Sequence, residues 1–438
     1  MFMQTETLII GAGISGLSTA HFLSKKTSQF LLLESSSKIG GVIQSKSIND
    51  FICENGPNTV LLNNKATIEL IKDLGLWDVL CYPKDESNKK RFVFDDGNLT
   101  KIPNSFLEFL SSGLISVKSK IFLLSEFFRG RHKENTTVYN FIKKRFGKEI
   151  HDKLFEPFLT GIYAGDTRKM SAKHSLKNLW NYDQKYGSIF KAIFSEKLKR
   201  SNSFNFPNGL RQMIDSLGQS LNKNILKGAE VTKVSKVSGG YEVLVNNSYT
   251  VKCKKIVSTV PSYVLKNIID NKKLKDKLVD VNYNPIDVFH FGFRNENIKN
   301  KIQGFGVLTK KNDQKNYLGV LFNSSIFSHL SRDDMSLYTV LVGGERQKSL
   351  CNMEGKKLQE IILNDIEELI NHEGEVVMSN HYRWVYGIPQ YNLNQDDLVS
   401  SINNYMSENE GFYIIGSYFD GLSVSDCIQK GKKISEII

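Results

Sequence analysis

The sequence predicts an α/β fold that opens with a strand–helix–strand unit. Thr7 to Glu34 contains an apolar run, a glycine cluster, a helical apolar pattern, a second apolar run and one acid, in that order. Leu8 to Ile10 is typical of a buried parallel strand, and Phe30 to Leu33 is typical of the next one. Ile14 to Leu23 suits a helix packed on a sheet. This order predicts a dinucleotide-binding unit of the Rossmann type.

Three glycines predict how a dinucleotide binds to this unit. Gly11 allows the tight turn after the first strand, Gly13 lets the backbone approach a pyrophosphate, and Gly16 lets the helix pack closely. The free N–H groups at the helix N-terminus then face the phosphates. The competing interpretation is a glycine-rich turn in an α/β domain that binds no nucleotide. The expected contacts are Gly11, Ala12, Gly13, Ile14, Ser15 and Gly16.

Glu34 ends the second strand. A carboxylate there accepts hydrogen bonds from ribose hydroxyls and repels an additional 2′-phosphate, which disfavours NADP. Gly40 and Gly41 then repeat the demand for close backbone approach, on the far side of the same nucleotide. NAD enzymes do not need this pair, whereas an acid followed after five residues by two glycines resembles FAD proteins related to the amine oxidases. Lys38 and Val42 stand where such proteins often have arginine.

The segment FICENGP, residues 51–57, adds another glycine. Gly56 and Pro57 would let the backbone meet the flavin or its ribityl chain, although Gly-Pro is also a common turn. The expected FAD contacts in this part of the chain are Glu34, Gly40, Gly41, Val42, Gly56, Pro57, Asn58 and Thr59.

Length and composition limit the remaining choices. The chain has 438 residues, which indicates two or three domains. The formal net charge of +12 attracts polyanions, acidic membrane surfaces or carboxylate-bearing substrates without choosing among them. The lysines are scattered, and neither a zinc spacing nor an arginine-rich arm occurs, so binding to nucleic acid is not expected.

Cysteine and histidine usage indicates the compartment and the chemistry. The five cysteines are far apart and odd in number, which fits a reducing compartment such as the cytoplasm. The sequence shows no metal-like histidine spacing and no Ser/His/Asp constellation, so neither a metal nor a catalytic acid or base is predicted. The first strand begins close to Met1, leaving no room for a signal peptide, and no apolar run of about 18 residues occurs.

An apolar stripe between Ser105 and Lys133 has two interpretations. Its residues recur at steps of three or four, and Ser111 to Gly113 divides them into two expected helices. The cations Arg129, Arg131 and Lys133 follow, a composition suited to a membrane interface. Packing in the core explains the stripe equally well. Its apolar members are Phe106, Leu110, Leu114, Val117, Ile121, Leu124 and Phe128, widened by Leu107, Phe109 and Phe127.

The segment EPFLTGIYAGDTRKMS, Glu156 to Ser171, carries the most specific resemblance. It is similar, nearly residue for residue, to a stretch of the oxygen-dependent protoporphyrinogen oxidases and their bacterial coproporphyrinogen-oxidising relatives. The resemblance covers essentially the whole chain. The other agreeing segments are ENGPNTV (54–60), FPNGLRQM (206–213), IVSTVPSYV (256–264), GFGVL (304–308), LGVLFNSSIF (318–327), YTVLVGG (338–344), IPQY (388–391) and IGSYFDGLSVSDC (415–427).

Two departures from the family pattern occur. The family usually continues PQYxxGH, whereas here Tyr391 is followed by Asn392-Leu393-Asn394-Gln395, so that histidine is absent. The arginine-bearing segment that often follows YTVLVGG is shortened, although Arg346 lies nearby.

The resemblance implies a fold like that of the flavin monoamine oxidases, with three parts. An FAD-binding Rossmann-like domain is expected from residues 1–90, 205–283 and 385–438. A mixed-sheet substrate domain is expected over 284–384. A helical insertion is expected over 91–204.

The resemblance also implies further contacts with cofactor and substrate. The backbone of Val231 would meet the adenine, and the C-terminal segment would meet the flavin through Ser417, Leu422, Ser423 and Val424. A helix beginning there would stabilise negative charge on the reduced flavin. The tetrapyrrole would bind through Arg91 to a propionate, with Gly165 against a ring and Leu308 and Phe322 on either side of the macrocycle.

The expected function is FAD-dependent oxidation of protoporphyrinogen IX to protoporphyrin IX by oxygen, in heme biosynthesis, with the FAD held noncovalently. Coproporphyrinogen III is the alternative substrate, because Arg168, Lys169, Lys173 and Arg346 lie near the cavity motifs and could face extra propionates. A flavin-bearing membrane or partner-binding protein without turnover is a further alternative. Peripheral contact with the inner face of the cell membrane and a homodimer both stay open.

Overall fold

The computed structural model describes residues 2–95, 97–195, 201–419 and 421–438. Four sequence-based expectations fall in part outside this description. They concern residue 1 of the expected FAD-binding domain, the side chain of Phe106 in the apolar stripe, residues 96 and 196–200 of the expected insertion, and Asp420 of the C-terminal segment.

Within the described residues, the strands form two large sheets and two short pairs. In chain order they are β1 Phe2–Ile10, β2 Phe30–Glu34, β3 Ser45–Ile48, β4 Phe51–Glu54, β5 Val60–Leu61, β6 Arg91–Asp95, β7 Asn98–Lys101, β8 Ser203–Phe204, β9 Ile225–Lys227, β10 Val231–Val237, β11 Gly240–Val245, β12 Tyr249–Ser258, β13 Asn282–Arg294, β14 Gly306–Leu308, β15 Gly319–Leu321, β16 Met335–Gly343, β17 Met378–Gln390 and β18 Phe412–Ile414.

The helices cover the sheets and fill the connection between β7 and β8. In chain order they are α1 Ile14–Ser24, α2 Lys65–Asp73, α3 Asp85–Asn88, α4 Phe106–Ser111, α5 Val117–Leu124, α6 Val138–Phe146, α7 Lys148–Ile150, α8 Glu156–Tyr163, α9 Ala172–Ser175, α10 Lys177–Tyr186, α11 Ile189–Ser195, α12 Arg211–Ser220, α13 Ser262–Ile268, α14 Lys272–Val279, α15 Asn323–Ile326, α16 Gly355–Ile370, α17 Gln395–Glu408 and α18 Val424–Ile437.

The first sheet has the order β10-β11-β12-β1-β2-β9, and β18 also pairs with β12. The pairs β1–β2, β1–β12 and β12–β18 are parallel. The predicted β1–α1–β2 unit is therefore confirmed. Because parallel strands end at the same edge of a sheet, the turns after β1, β2, β12 and β18 meet there, where open α/β sheets bind their ligands.

The second sheet has the order β17-β13-β16-β15-β14-β6-β7. Successive side chains of β13 point alternately to the two faces of this sheet. Phe289, Phe291 and Phe293 lie in the core that also contains the buried residues of α16. His290 points the other way, where its Nε2 donates to the backbone oxygen of Glu54 at 3.1 Å. One face is thus covered by α16, and the other faces the first sheet's connections.

Two expected segment boundaries fall inside this second sheet. β6 and β7 belong to it, although residues 91–204 were expected to be a helical insertion. β17 stays paired with β13 as far as Gln390, beyond the expected boundary at residue 385. Short strands such as β6 carry too few residues for periodicity to show which sheet they join, so only pairing reveals their place.

The apolar stripe divides between core and surface. Ser112 and Gly113 separate α4 from α5, as predicted. Leu114 and Leu123 are buried among the helices, whereas Leu107, Leu110, Val117, Ile121, Leu124 and Phe128 are exposed. Among the described residues, no helix is both long enough and apolar enough to cross a membrane.

Candidate active site

The turn after β1 needs two of its glycines for internal packing. Gly11 has a φ of +98°, and a Cβ there would lie 2.9 Å from Oγ1 of Thr259. A Cβ on Gly16 would lie 1.9 Å from the carbonyl oxygen of Gly11, so α1 approaches the turn too closely for any side chain. Position 11 favours glycine because of its positive φ, and position 16 requires it because a backbone oxygen occupies the space of a side chain.

Gly13 differs, because a Cβ there would have no atom within 4 Å. Its φ of −74° and ψ of 179° are available to any residue, and it is the N-cap of α1. The helix therefore begins against open space, with its first N–H groups and positive end directed into it. A pyrophosphate would fit this cradle, where Ile14 and Ser15 would supply the first-turn amides.

Glu34 lies beside the same turn. Its Oε2 accepts a hydrogen bond of 2.8 Å from the backbone N–H of Ala12, and its Oε1 accepts one of 2.9 Å from Ser36 N–H. Its backbone oxygen accepts from Ala229 N–H at 2.8 Å, which brings the start of β10, at Val231, next to the ribose position. Oε1 also accepts from the Ser35 hydroxyl at 3.4 Å, whereas Oε2 keeps a second lone pair, so a ribose hydroxyl can still donate to Oε2 of Glu34.

Gly40 and Gly41 close the other side of the cradle. The N–H of Gly40 donates to the Ala12 carbonyl at 2.7 Å. A Cβ on Gly41 would lie 3.2 Å from the Cα of Gly13, so the two glycine turns are packed backbone to backbone. Val42 is exposed, and its carbonyl oxygen lies 1.9 Å from where a Cβ on Gly56 would be. A side chain at position 56 would therefore clash with the backbone of Val42, whether or not a ligand is bound.

The segment after β4, residues 56–59, is half-buried at the same edge. The backbone oxygen of Asn58 accepts from Nδ2 of Asn205 at 3.0 Å, and its side-chain oxygen accepts from Nδ2 of Asn323 at 3.1 Å. Pro57 and Thr59 lie on either side. These hydrogen bonds hold the segment in place between the two sheets.

Glu54 is a site residue that the sequence analysis did not select. Its Oε1 accepts from the backbone N–H of Leu210 at 2.7 Å and from Nδ2 of Asn205 at 3.2 Å, and its Oε2 accepts from Oγ of Ser45 at 2.7 Å. Burial raises the pKa of the Glu54 carboxyl above its usual value, opposed by these donors. A charged residue at the end of the apolar strand FICE is the pattern that could have revealed it.

The C-terminal segment leads into α18, which packs on α1. Ser423 caps α18, accepting from Asp426 N–H at 3.1 Å, while Asp426 accepts from Ser423 N–H at 3.2 Å. Leu422 and Val424 beside it are half-buried. A Cβ on Gly431 of α18 would lie 2.8 Å from the backbone N of Thr19 in α1, so the two helices are in close contact.

The second sheet places Arg91 and Leu308 on one face. Gly306 is paired with Arg91 and Leu308 with Val93, so the side chains of Arg91 and Leu308 point to the same side of neighbouring strands. Leu308 meets α8, because its Cδ2 lies 2.7 Å from where a Cβ on Gly161 would be. This face looks away from α16 and towards the FAD edge.

Phe322 lies elsewhere in the structure. Its side chain is buried in the core cluster that contains α16, with its ring 5.7 Å from that of Tyr338. The expected sandwich of Leu308 and Phe322 across one cavity is not found, because Phe322 follows Leu321 and therefore alternates to the opposite face. Sequence alone does not distinguish these faces.

Gly165 is buried, and the space beside its Cα is already filled. A Cβ there would lie 2.6 Å from Oε1 of Gln390 and 2.8 Å from Sδ of Met170. Gln390 also accepts from Asp166 N–H at 2.8 Å. The expected contact with a substrate ring is therefore limited to the backbone of Gly165. Gln390 and Met170 already explain why this position has no side chain.

The fold and the cradle together define a flavoprotein with an FAD-binding sheet and a second, mixed sheet beside it. Residues 14–438 match the model of the family described as flavin containing amine oxidoreductase, so the chain belongs to that family. It is an FAD-dependent oxidoreductase.

Relatives match the chain from end to end. Protoporphyrinogen oxidase 2, chloroplastic/mitochondrial, of Arabidopsis thaliana is 28% identical, covering 98% of this chain and 93% of the relative. Coproporphyrinogen III oxidase of Bacillus subtilis is 24% identical, covering 98% and 97%. The crystal structure of a protein from Exiguobacterium sp. 255-15, provisionally named a protoporphyrinogen oxidase, shares the fold with a TM-score of 0.86 and 20% identity, covering 99% and 98%.

Proposed function

We propose that this protein oxidises protoporphyrinogen IX to protoporphyrin IX with molecular oxygen, in heme biosynthesis. The observation that carries the proposal is the pairing of a cation with an apolar wall on one sheet face. Arg91 and Leu308 lie on adjacent strands, facing the edge where FAD fits. A tetrapyrrole needs an apolar surface for its rings and a cation for its propionates, so this face has the required chemistry.

The residues of the face hold and orient the substrate. The Arg91 guanidinium lies 4.6 Å from the centre of the Phe305 ring, and it donates to the backbone oxygen of Asn88 at 2.6 Å and to its Oδ1 at 3.1 Å. These contacts hold the planar cation in place before a propionate binds. The redox chemistry would come from FAD when it is bound, with oxygen as the final electron acceptor.

Coproporphyrinogen III is the alternative substrate, and the cations near the cavity argue against it. Lys169 pairs with Glu345 at 2.5 Å, and Lys173 pairs with Asp396 at 2.7 Å. Each of these exposed lysines already faces a carboxylate of the protein, which leaves less positive charge for two additional propionates. The other two cations also have internal contacts: Arg346 with Thr309 and Glu156, and Arg168 with the ring of Tyr139.

The test is a comparison of the two porphyrinogens under air, followed by porphyrin fluorescence. We expect kcat/KM to be higher for protoporphyrinogen IX. A markedly higher value for coproporphyrinogen III would replace the proposed substrate. No oxygen uptake with either porphyrinogen, in protein fully loaded with flavin, would instead favour a binding protein without turnover.

We further propose that FAD is held noncovalently. Cys53 and Cys427 are the cysteines on elements of the FAD site, and both are buried. Burial raises the pKa of the Cys53 thiol to about 12 and raises that of Cys427 as well, so neither is a reactive thiolate. Acid precipitation should therefore release all of the yellow colour into the supernatant.

We also propose a cytoplasmic protein that binds the inner face of the cell membrane at its periphery. The apolar residues exposed on α4, α5 and the turn after them support this, together with the cations nearby. Arg129, for example, lies over the ring of Phe122 at 3.7 Å. A second copy of the chain is the competing occupant of this surface, which would make a homodimer.

A further inference from the structure

The segment between β18 and α18 has its backbone oxygens held by buried side chains. Gln395, at the start of α17, donates through Nε2 to the carbonyls of Tyr418 at 3.0 Å and Phe419 at 3.2 Å. The hydroxyl of Tyr391 donates to the carbonyl of Ser417. Tyr391 is 1% exposed and Gln395 is 3% exposed, so neither bond competes with solvent.

Lys430 also holds backbone oxygens of this segment. Its Nζ donates to the carbonyl of Gly416 at 3.1 Å and to that of Gly421 at 3.4 Å, reaching back from the second turn of α18. Three side chains from two helices and one connecting loop therefore fix consecutive peptide groups by their oxygens.

The orientation of a trans peptide follows from its oxygen. The C=O and the N–H of one planar peptide unit point in opposite directions, so holding an oxygen aims the next residue's N–H the other way. The amides aimed in this manner are those of Ser417, Tyr418, Phe419 and Leu422. Within the part of the chain that the structure describes, these N–H groups have no hydrogen-bond acceptor.

We propose that Tyr391, Gln395 and Lys430 are positioning residues. They turn the amides of Ser417, Tyr418, Phe419 and Leu422 towards the flavin. Preorganised N–H dipoles stabilise negative charge where it develops, and here that charge lies on the reduced ring. The three residues thereby raise the affinity for reduced FAD relative to oxidised FAD. The proposal rests on the FAD site of the proposed function and is independent of which substrate is oxidised.

Gln395 stands at the place of the histidine in the family pattern PQYxxGH. A side-chain amide donates an N–H as an imidazole does, but it does not titrate near neutral pH. In this protein the hydrogen bonds from Gln395 to the carbonyls of Tyr418 and Phe419 are consequently the same at every physiological pH.

The experiment measures the flavin midpoint potential, without porphyrinogen, in Tyr391→Phe and Gln395→Met. Neither substitution changes a charge, so a shift reports hydrogen bonding. We expect each to lower the preference for reduced over oxidised FAD by several-fold, up to about tenfold, which equals about 30 mV for a two-electron couple. Tyr241→Phe is the matched control, because its hydroxyl donates to the Glu410 carbonyl at 2.8 Å, just before β18.

The outcomes separate this inference from the proposed function. Potentials of both variants equal to that of Tyr241→Phe would overturn the inference, whatever the protein oxidises. If Gln395→Met does not retain FAD, Tyr391→Phe decides alone, since it keeps the buried ring. A lowered potential in a protein that oxidises no porphyrinogen would uphold the inference while removing the substrate assignment.

Discussion

The guanidinium of Arg91 lies 4.6 Å from the centre of the Phe305 ring. Phe305 lies in the loop just before β14, the strand that pairs with β6 at Arg91. The stacking fixes a cation on the sheet face that also presents Leu308. It therefore makes Arg91 the residue whose removal most directly tests the substrate face.

Arg91→Ala should lower kcat/KM for porphyrinogen by about 10- to 100-fold, because a charge-assisted pair with a propionate is lost from a partly dry site. Initial rates of porphyrin fluorescence measure this effect. Arg294→Ala is the control, since Arg294 ends β13 in the same sheet and is exposed. An unchanged kcat/KM in Arg91→Ala would remove Arg91 from the substrate site.

Gly13→Val should abolish FAD binding without unfolding the protein. A side chain at Gly13 meets no protein atom within 4 Å, so it fills the space that a pyrophosphate would need. Flavin absorbance and far-UV circular dichroism of the purified variant measure the two effects. Gly113→Val is the matched control, because a Cβ there also meets nothing within 4 Å. Full flavin content in Gly13→Val would contradict the site.

Leu107→Ser with Phe128→Ser should weaken binding to anionic vesicles by about 100-fold or more, because each large apolar side chain contributes roughly 1.5 to 3 kcal/mol when buried. Leu107 is 77% exposed and Phe128 is 90% exposed, so the fold should tolerate both changes. Phe109 and Phe127 are unsuitable for this test, because both are half-buried and Phe127 packs on Phe190.

Cosedimentation with vesicles of phosphatidylglycerol and phosphatidylcholine measures this binding. Val279→Ser with Ile437→Ser is the control, since both residues are exposed but lie on α14 and α18. Unchanged vesicle binding would place the membrane contact elsewhere. A change in oligomeric state on size exclusion, without a change in vesicle binding, would assign the surface to a second copy.

His290 should make the stability of the protein depend on pH. Burial lowers the pKa of its imidazole to about 4, from 6.5, so the folded protein holds it neutral. Above pH 6.5 it is neutral in both states, and as the pH falls from 6.5 to 4 only the unfolded chain takes up the proton. Stability from this group is thus lost on acidification, by up to about 1.4 kcal/mol per pH unit.

His290→Gln should remove that part of the pH dependence, while a glutamine amide can still donate to the backbone of Glu54. Urea midpoints measured between pH 4 and 7 report the difference between variant and wild type. Equal pH slopes for the two proteins would show that His290 is protonated in the folded state.

The sequence by itself determined the nucleotide edge. The glycines at 11, 13 and 16, the acid at 34 and the alternation of apolar runs are local requirements of a tight turn, a close helix and a buried parallel strand. Such requirements leave a pattern within about thirty residues, and the structure shows the predicted strand–helix–strand unit there. The family resemblance added the C-terminal segment, whose helix α18 begins at Val424.

Only the tertiary structure decided which side chains share a face. Leu308 and Phe322 read alike as apolar residues at strand ends, but the pleat directs Leu308 to α8 and Phe322 to the α16 core. The hydrogen bond from Gln395 to the carbonyl of Tyr418 joins residues that are 23 positions apart, and nothing in their local sequence predicts it. The periodicity of apolar residues indicates which face of one helix or strand is buried. It does not indicate which other element packs against that face.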